Sequence, residues 1–438
     1  MKRLIKKSEG VMLQLKNDGE TTLAVGIDAT TTSLTVTDGS VFPELTKPGE
    51  WFPLVFINSD SIERMRVIER DGNWLNVIRH AEGTTPSSWA EDSFCSSELT
   101  KSAIESLSAF ALAELSGGKV VNRLDENGNH NIMLKIPMFT RDSINIRLGV
   151  DIGTGPHPAF IDANGDILTH FEYAIYTASN DGAGNPVSIP SADPYVSVNF
   201  TEAKAKCAAM GQGWHLSSNA EWAAIVWLCI ANGKNNWSSD WEVTGNTFHG
   251  INHSKQYQSG FRPDGFRPGD VAGEGRTLTG SGPITWRHDG TLSGLADLVG
   301  NVGEWQDGFK QINGQIIVAH KNRMDESDWA DMTAYYDIAG KLGPARIADN
   351  ADISVVWADQ EKDSDYAENA LLKALVIEPV ALYDPLKGYL SCDNTITSYP
   401  VRGGNFAMGY QAGLASLNLL NIATSTDESI GFRPAFIG

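Results

Sequence analysis

The chain has 438 residues, which is enough for two or three domains because single hydrophobic cores usually stop growing below about 300 residues. Its 34 Lys and Arg against 54 Asp and Glu give a net charge of −20, which argues against a nucleic-acid partner held through phosphate contacts. A content of 41% hydrophobic and 20% charged residues is that of a folded protein and excludes extensive disorder.

The first fifteen residues, MKRLIKKSEGVMLQL, are basic but have neither the uninterrupted apolar run nor the small-residue cleavage site of a signal peptide. No stretch approaches the roughly 20 apolar residues that cross a bilayer. The sequence therefore predicts synthesis in the cytoplasm, no export by the usual route and no membrane insertion.

The four cysteines are far apart and share no CxxC spacing, so neither a disulfide framework nor a zinc site is indicated. We predict that most of them are buried thiols, the usual environment of free cysteine. They are Cys95, Cys207, Cys229 and Cys392.

Residues 20–98 alternate β-branched and polar residues between turns, which predicts a small β domain over residues 1–100. Residues 64–79 form two strands joined at Asp71-Gly72. The run Val77–Pro86, with Trp89 after it, resembles the "R-x-x-E-G-T-T" turn of a small β domain near the start of many phage tail-fibre and tail-tip proteins. That resemblance implies attachment to other tail proteins, and an unrelated small barrel or sandwich is the alternative.

Residues 101–118 carry an apolar stripe at helical spacing that ends at Gly117-Gly118. We predict a helical connector over residues 101–131, whose stripe packs either on its own domain or in a trimeric stalk. The stripe consists of Ile104, Leu107, Phe110, Ala111 and Leu115.

From residue 132 the pattern changes to short strands, long loops and two helices, predicted over 200–210 and 219–231. Asn199 with Glu202, and Ser218 with Glu221, stand at the spacing of a capping box, in which each side chain satisfies a free backbone N–H at the helix start. Both helix starts are therefore well specified.

Four motifs follow one another in this part of the chain: 213–222 (GWHLSSNAEW), 294–305 (GLADLVGNVGEW), 401–406 (VRGGNF) and 430–434 (IGFRP). Together they are similar to the "R-L-P-T-x-A-E-W", "D-M-x-G-N-V-W-E-W", "R-G-G-S-W" and "G-F-R" motifs of the formylglycine-generating-enzyme family. The resemblance covers about 300 residues and implies a C-type-lectin-like fold. The predicted fold class is therefore α+β, with a C-type-lectin-like domain at 132–438 after a small all-β domain.

Within these motifs, Gly300-Asn301 and Gly403-Gly404 are placed where positive φ or close backbone approach is plausible. Glu221, Glu304 and Arg433 are charges among apolar residues, so we expect them to be paired and structural rather than catalytic. The enzymes of the family hold copper with a close cysteine pair near the last motifs, and this chain has only Cys392 there. We therefore predict no catalytic residue and no enzyme activity.

The segment from Arg402 to Arg433 resembles more closely the end of variable proteins from diversity-generating retroelements, "R-G-G-x-W-x-x-G-x-x-A-G-L-x-x-L-x-L-x-x-x-x-x-S-x-x-x-x-I-G-F-R". We call residues 402–433 the C-terminal segment. In that family, selected positions between fixed glycines and leucines are replaced to change the ligand. The mixture of aromatic, Met and polar residues at these positions suits an interface. The positions carried over as ligand-binding are Phe406, Ala407, Met408, Tyr410, Gln411, Ser416, Leu420, Asn421, Ile422, Thr424, Thr426, Asp427, Glu428 and Ser429.

The resemblance implies a phage tail-tip adhesin in the virion tail, a homotrimer that binds a host surface receptor, protein or glycan, without chemistry. The alternatives are a relative of the formylglycine-generating oxidases and a variable lectin of the bacterial surface. No cofactor or metal site is predicted, although two groups of residues leave room for a structural Ca²⁺ or Mg²⁺ ion. These groups are His249, His253 and His288, and Asp181, Asn185 and Asp193.

Overall fold

This computed structural model describes residues 12–13, 19–46, 50–58, 61–81, 84–97, 116–233, 262–264, 273, 275–337 and 339–438. The chain divides into two compact units. The first comprises Met1–Ile132 with Asn180–Val187, and the second comprises Met133–Ser179 with Ser188–Gly438. Among the described residues, no helix is long and apolar enough to cross a membrane.

The first unit is built on a seven-stranded sheet with the strand order β2-β7-β4-β5-β6-β3, and β1 lies parallel to β4. The strands of this unit are β1 (Met12–Leu13), β2 (Glu20–Thr22), β3 (Ser33–Thr35), β4 (Glu50–Ile57), β5 (Ile62–Asp71), β6 (Trp74–Ala81), β7 (Phe94–Ser96) and β8 (Val120–Leu124). The predicted hairpin is confirmed, since β5 and β6 pair from Asp71 and Trp74 across a tight turn at Gly72.

The first unit has an aromatic core with one buried ion pair beside it. Phe56 packs on Trp89 with their ring centroids 5.3 Å apart, and both are buried. Arg79, from the "R-x-x-E-G-T-T" turn, donates to Glu63 at 2.7 Å and to the carbonyl of Thr31 at 2.8 Å. A buried guanidinium is tolerated only when its donors are satisfied. These bonds link the turn to β5, which contains Glu63, and to the loop that contains Thr31.

The predicted connector over 101–131 is corrected in its second half. Residues 120–124 form β8, and β9 (His130–Pro137) begins before the connector was expected to end. A tight turn held by Asp125, which accepts from the backbone N–H of Asn127 and Asn129, joins them. Residues 101–115, which carry the apolar stripe, lie outside the described residues.

The second unit contains four α-helices among its described residues: α1 (Arg141–Leu148), α2 (Phe200–Ala208), α3 (Asn219–Ala231) and α4 (Ala370–Ala374). Both predicted capping boxes are present. Asn199 and Glu202 cap α2 reciprocally, and Ser218 and Glu221 cap α3 in the same way. The two helices begin where the sequence predicts because these bonds satisfy donors that the helix itself leaves free.

Strands of the second unit lie in three sheets, in the orders β13-β25-β10-β9, β19-β20-β23-β22-β14-β24 and β18-β17-β16-β15-β21. The remaining strands are β10 (His170–Ala174), β11 (Ser179–Asn180), β12 (Pro186–Val187), β13 (Trp214–Leu216), β14 (Gly303–Trp305), β15 (Phe309–Ile312), β16 (Gln315–Val318), β17 (Ala330–Tyr336), β18 (Leu342–Gly343), β19 (Ile353–Val356), β20 (Tyr389–Cys392), β21 (Thr397–Ser398), β22 (Val401–Gly403), β23 (Gly413–Leu419), β24 (Ile430–Phe432) and β25 (Pro434–Phe436). Helix α3 is buried along its whole length except at Leu228, which is half-buried.

One buried histidine of the second unit is held in its neutral form. His157 Nε2 donates to the carbonyl of Ala374 at 2.9 Å, while Nδ1 accepts from the backbone N–H of Ala159 at 3.3 Å. Burial lowers the pKa of His157 to about 4, and a proton on Nδ1 would face the N–H of Ala159.

Acidification from pH 6.5 to 4 is expected to lower the free energy of unfolding through His157. The unfolded chain takes up the proton near its ordinary pKa of about 6.5, whereas the folded chain does so only near 4, so stability is lost as the pH falls through this window. The full difference corresponds to about 3 kcal/mol. Urea denaturation across this range should show a weaker pH dependence for His157→Gln than for wild type. Equal pH dependence in His157→Gln and wild type would contradict the assignment.

Candidate functional site

The C-terminal segment begins and ends in the six-stranded sheet of the second unit. Its strands are β22, β23 and β24. Strand β23 lies between β20 and β22, and β24 lies parallel to β14 at the edge of the sheet. Because β22 is antiparallel to both β23 and β14, the loops before β23 and before β24 come to the same end of the sheet.

Arg402 fixes the beginning of the segment. Its guanidinium donates twice to Asn219 Oδ1, at 2.9 and 2.7 Å, and once to the carbonyl of Val376 at 2.8 Å. The side chain is fully buried, and burial lowers its pKa to about 9. It remains protonated at neutral pH, so these oxygens compensate a buried charge and anchor β22 to the first turn of α3.

Two glycines shape the turn after Arg402. Gly403 and Gly404 have φ of 85° and 75°, and a Cβ atom would lie 2.6 Å from the carbonyl of Leu298 at Gly403 and 2.7 Å from Ala412 at Gly404. Asn301 also has a positive φ, of 60°, and its carbonyl accepts from the N–H of Phe406 at 2.9 Å. The expectation of positive φ at these positions is confirmed, and side chains larger than hydrogen are excluded from the turn.

Arg433 fixes the end of the segment. It donates to both oxygens of Glu304, at 2.9 and 2.5 Å, and to the carbonyls of Ala174, Ile175 and Ala296. Both charged side chains are at most 1% exposed. Burial alone would lower the pKa of Arg433, but the Glu304 carboxylate raises it above its ordinary value. The predicted structural pairing of these two charges is confirmed.

Between these two anchors, most of the fourteen predicted ligand-binding residues reach solvent. Eight are exposed: Ala407, Tyr410, Leu420, Ile422, Thr424, Thr426, Asp427 and Glu428. Four are half-buried: Met408, Gln411, Asn421 and Ser429. The apolar members of the exposed group leave large fractions of their surface uncovered, with 48% for Tyr410, 42% for Leu420 and 44% for Ile422.

Two of the fourteen residues are buried, so the expectation that they face a ligand is corrected. Phe406 is 6% exposed, and Ser416 is 1% exposed. Ser416 lies in the middle of β23, which is paired on both edges and has all of its residues buried except the half-buried Asn418. Both side chains therefore offer little surface to a ligand.

The exposed residues fall into two groups. Asn405 joins the first group, because its Nδ2 donates to Ser429 Oγ at 2.9 Å while its Oδ1 accepts from the N–H of Ala407 at 3.0 Å. Residues 407–411 and 427–429 are therefore neighbours at the end of the sheet where β23 begins. Leu420 and Ile422 follow the other end of β23, about 20 Å away at the usual rise per residue of a strand.

An aromatic pair lies beside the first group. The rings of Tyr410 and Tyr389 have centroids 5.9 Å apart and meet edge to face at 67°. Tyr389 is half-buried and begins β20, outside the C-terminal segment. The sequence analysis missed this residue, and only the pairing of β20 with β23 could have revealed it.

Asp427 also holds the backbone. Its Oδ1 accepts from the N–H of Ser429 at 2.8 Å and from the Ser429 hydroxyl at 2.5 Å, and its carbonyl accepts from the N–H of Ser197 at 3.1 Å. The exposed carboxylate therefore closes the turn before β24. Replacement of Asp427 is expected to affect local conformation as well as any contact with a ligand.

The four thiols are buried and unpaired by disulfides, as predicted. Cys392 Sγ donates to Gln311 Oε1 at 3.4 Å, and burial raises the pKa of this thiol. Burial likewise raises the pKa of Cys95 and of Cys229 to about 12. The thiolate forms, which bind metals and act as nucleophiles, are therefore disfavoured at neutral pH.

The residues considered for a structural cation have other partners. Asp181 accepts from the N–H of Ala183 and from the side chain of Asn185, and Asp193 forms an ion pair with Arg276 at 2.6 Å. His288 Nδ1 accepts from the N–H of Leu295 at 2.7 Å. His249 and His253 lie outside the described residues. Over the part of the chain that the structure describes, no group of three or more His, Cys, Asp or Glu residues could hold a metal ion.

Residues 150–435 match the model of the family described as the sulfatase-modifying factor enzyme 1-like domain. The chain belongs to this family, and its second unit is a C-type-lectin-like domain with mixed α and β structure. A comparison with curated proteins gave no match.

Among solved structures, the chain is similar to variable protein 1 of Treponema denticola, with 13% identity over 72% of this chain and 98% of the other and a TM-score of 0.31. It is also similar to the U1 variant of the Major Tropism Determinant, with 11% identity over 87% of this chain and 82% of the other and a TM-score of 0.27. For the I1 variant the identity is 10%, the coverage 96% and 85%, and the TM-score 0.26. Similarities of this size do not by themselves define a function.

Proposed function

We propose that this chain is a phage tail-tip adhesin that binds a receptor on the host surface through the exposed residues of its C-terminal segment. The observation that supports this most is the contrast between the ends of the segment and its loops. Arg402 and Arg433 are 0% exposed and fully bonded, whereas Tyr410, Leu420 and Ile422 between them are more than 40% exposed. Such an arrangement lets the loops change without loss of the scaffold.

The chemistry of the exposed loops fits a non-covalent interface. Exposed aromatic and aliphatic side chains alternate with Thr, Asp and Glu, so apolar anchors are surrounded by groups that form hydrogen bonds. The edge-to-face contact with Tyr389 restrains Tyr410, which reduces the side-chain entropy lost on binding. A ligand therefore meets a partly preorganised surface.

We also propose how the protein is attached and assembled in the phage tail. The N-terminal β unit would attach the protein to other tail proteins. The chain would act as a homotrimer in the virion tail, where several weak sites bind together with higher avidity than one site alone. The receptor would be a protein or a glycan. The β sheet of the first unit, with its buried core, is compatible with an independent attachment module.

Two alternative functions, an oxidase and a bacterial surface lectin, would each require a different feature. An oxidase of the formylglycine-generating type would need a reactive thiol pair, whereas Cys392 bonds to Gln311 and its pKa is raised by burial. A variable lectin of the bacterial surface would need an export signal. A reverse-transcriptase gene beside a near-copy of the last part of the coding sequence, differing at adenines, would favour the retroelement class.

Replacing Tyr410 with alanine is expected to weaken binding to host cells at least tenfold, because an aromatic anchor at an interface contributes about 2 kcal/mol or more. Ile422→Ala should weaken binding in the same direction. The matched control is Ile146→Ala on α1, which removes an 87% exposed isoleucine outside the C-terminal segment and should leave binding unchanged. Adsorption of the purified full chain to intact host cells is the measurement. Wild-type adsorption by both Tyr410→Ala and Ile422→Ala would reject the proposed binding surface.

A further inference from the structure

A cleft of about 180 Å³ opens on the second unit, and none of the fourteen residues of the predicted binding set lines it. We call it the basic cleft. It is bounded by α2, by the beginning of α3 and by the loop 319–325. Pockets for drug-sized ligands are roughly 300 to 1,000 Å³, so the basic cleft accommodates only a smaller molecule.

The loop 319–325 is rigid at its centre because Asn322 is fully buried and satisfied. Its backbone N–H donates to the carbonyl of Ile161 at 2.8 Å, its Nδ2 donates to Glu221 Oε1 at 2.8 Å, and its Oδ1 accepts from Ser218 Oγ at 2.9 Å. Burial opposes ionisation of Glu221, but His215 and these hydrogen bonds together hold its pKa below the ordinary value. The carboxylate is therefore a stable acceptor for Asn322.

Lys321 and Arg323 flank this fixed asparagine, and both line the cleft. Arg323 is exposed and has a φ of 57°, a conformation that a residue with a side chain adopts only when its surroundings impose it. Within the described part of the chain, neither Lys321 nor Arg323 forms an ion pair. Two positive charges that form no ion pair among the described residues therefore line the cavity.

The other residues that line the cleft provide hydrogen-bond acceptors and a small apolar surface. Asp307 bonds to Lys204 at 2.9 Å, and the exposed Asp325 lies at the end of the loop. Leu216 and Met324 supply apolar surface. The lining therefore carries three Lys or Arg and two Asp in a protein whose net charge is −20, so the cleft is more basic than the protein around it.

We propose that the basic cleft binds a small hydroxylated organic anion, the size of one acidic sugar residue. Its carboxylate would contact Lys321 and Arg323, since charge-assisted hydrogen bonds are the strong ones in proteins. Its hydroxyl groups would donate to Asp307 and Asp325. This site is separate from the proposed receptor surface and does not depend on it.

Sodium glucuronate titrated into the full chain in a calorimeter at low salt tests the proposal, with glucose as the neutral probe of the same size. We expect glucuronate to bind and glucose to bind at least tenfold more weakly. Lys321→Gln and Arg323→Gln should each weaken glucuronate binding at least tenfold. These side chains are half-buried and exposed, and a melting curve would verify that both variants fold.

The matched control is Lys341→Gln, which removes a positive charge outside the cleft and should leave glucuronate binding unchanged. Tyr410→Ala should also bind glucuronate normally, so failure of the receptor surface and failure of the cleft are distinguishable. No heat from glucuronate, equal binding of glucose, or undiminished binding by both cleft variants would overturn the proposal.

Discussion

Replacing Arg433 with methionine is expected to lower the free energy of unfolding by about 3 to 5 kcal/mol, the usual cost of removing one partner of a buried ion pair. Glu304 would remain at 1% exposure with its charge uncompensated, and three buried carbonyls would lose their donor. Chemical denaturation monitored by tryptophan fluorescence measures the change. Arg323→Met, which removes an exposed arginine without an ion pair among the described residues, should stay within about 0.5 kcal/mol.

A double variant separates the cost of the orphaned charge from the cost of lost packing. Glu304→Gln with Arg433→Met removes both charges, so it should recover part of the stability that Arg433→Met loses. A loss below about 1 kcal/mol in Arg433→Met, the range of surface ion pairs, would show that this pair does not anchor the end of the C-terminal segment.

Two leucines three positions apart in the segment should respond differently to the same substitution. Leu417→Ala is expected to cost about 2 to 5 kcal/mol of folding free energy, because its side chain is 0% exposed in β23 and its removal leaves a cavity. Leu420→Ala should change stability by no more than about 0.5 kcal/mol, because that side chain is 42% exposed. Thermal and urea unfolding of the two purified variants give the comparison.

This pair also tests the proposed division between scaffold and binding surface. If Leu420→Ala unfolds as early as Leu417→Ala, the residues after β23 belong to the core and cannot be exchanged freely. If both variants keep wild-type stability, β23 does not provide the fixed frame that the proposed adhesin needs.

Features governed by neighbouring residues were predictable from the sequence. The capping boxes at Ser218 and Asn199 and the turn at Gly72 depend on hydrogen bonds and steric limits within a few residues. The need to pair Glu304 with a cation was also visible, because a charge within an apolar run must be compensated.

The tertiary structure alone decided which of the predicted binding residues reach solvent. Phe406 precedes the exposed Ala407 and Ser416 lies in the paired strand β23, and the fold buries both side chains, to 6% and 1% exposure. Tyr389 joins Tyr410 through the pairing of β20 with β23, at a separation of twenty-one residues that no local pattern encodes.

The connector and the basic cleft are two further features that local sequence patterns do not predict. Strand β8 lies within the predicted helical connector, after the end of the predicted helix, because hydrogen bonding in a sheet outweighs weak local preferences. The cleft combines residues 204, 307 and 321–325, which only the folded chain brings together. By itself the sequence determined the family through its motifs, and the helix starts through capping bonds between neighbouring residues. The motifs also marked Arg402 and Arg433, but their partners Asn219 and Glu304 come from distant parts of the chain. Long-range strand pairing decided which side chains are covered, and thus which surfaces can bind.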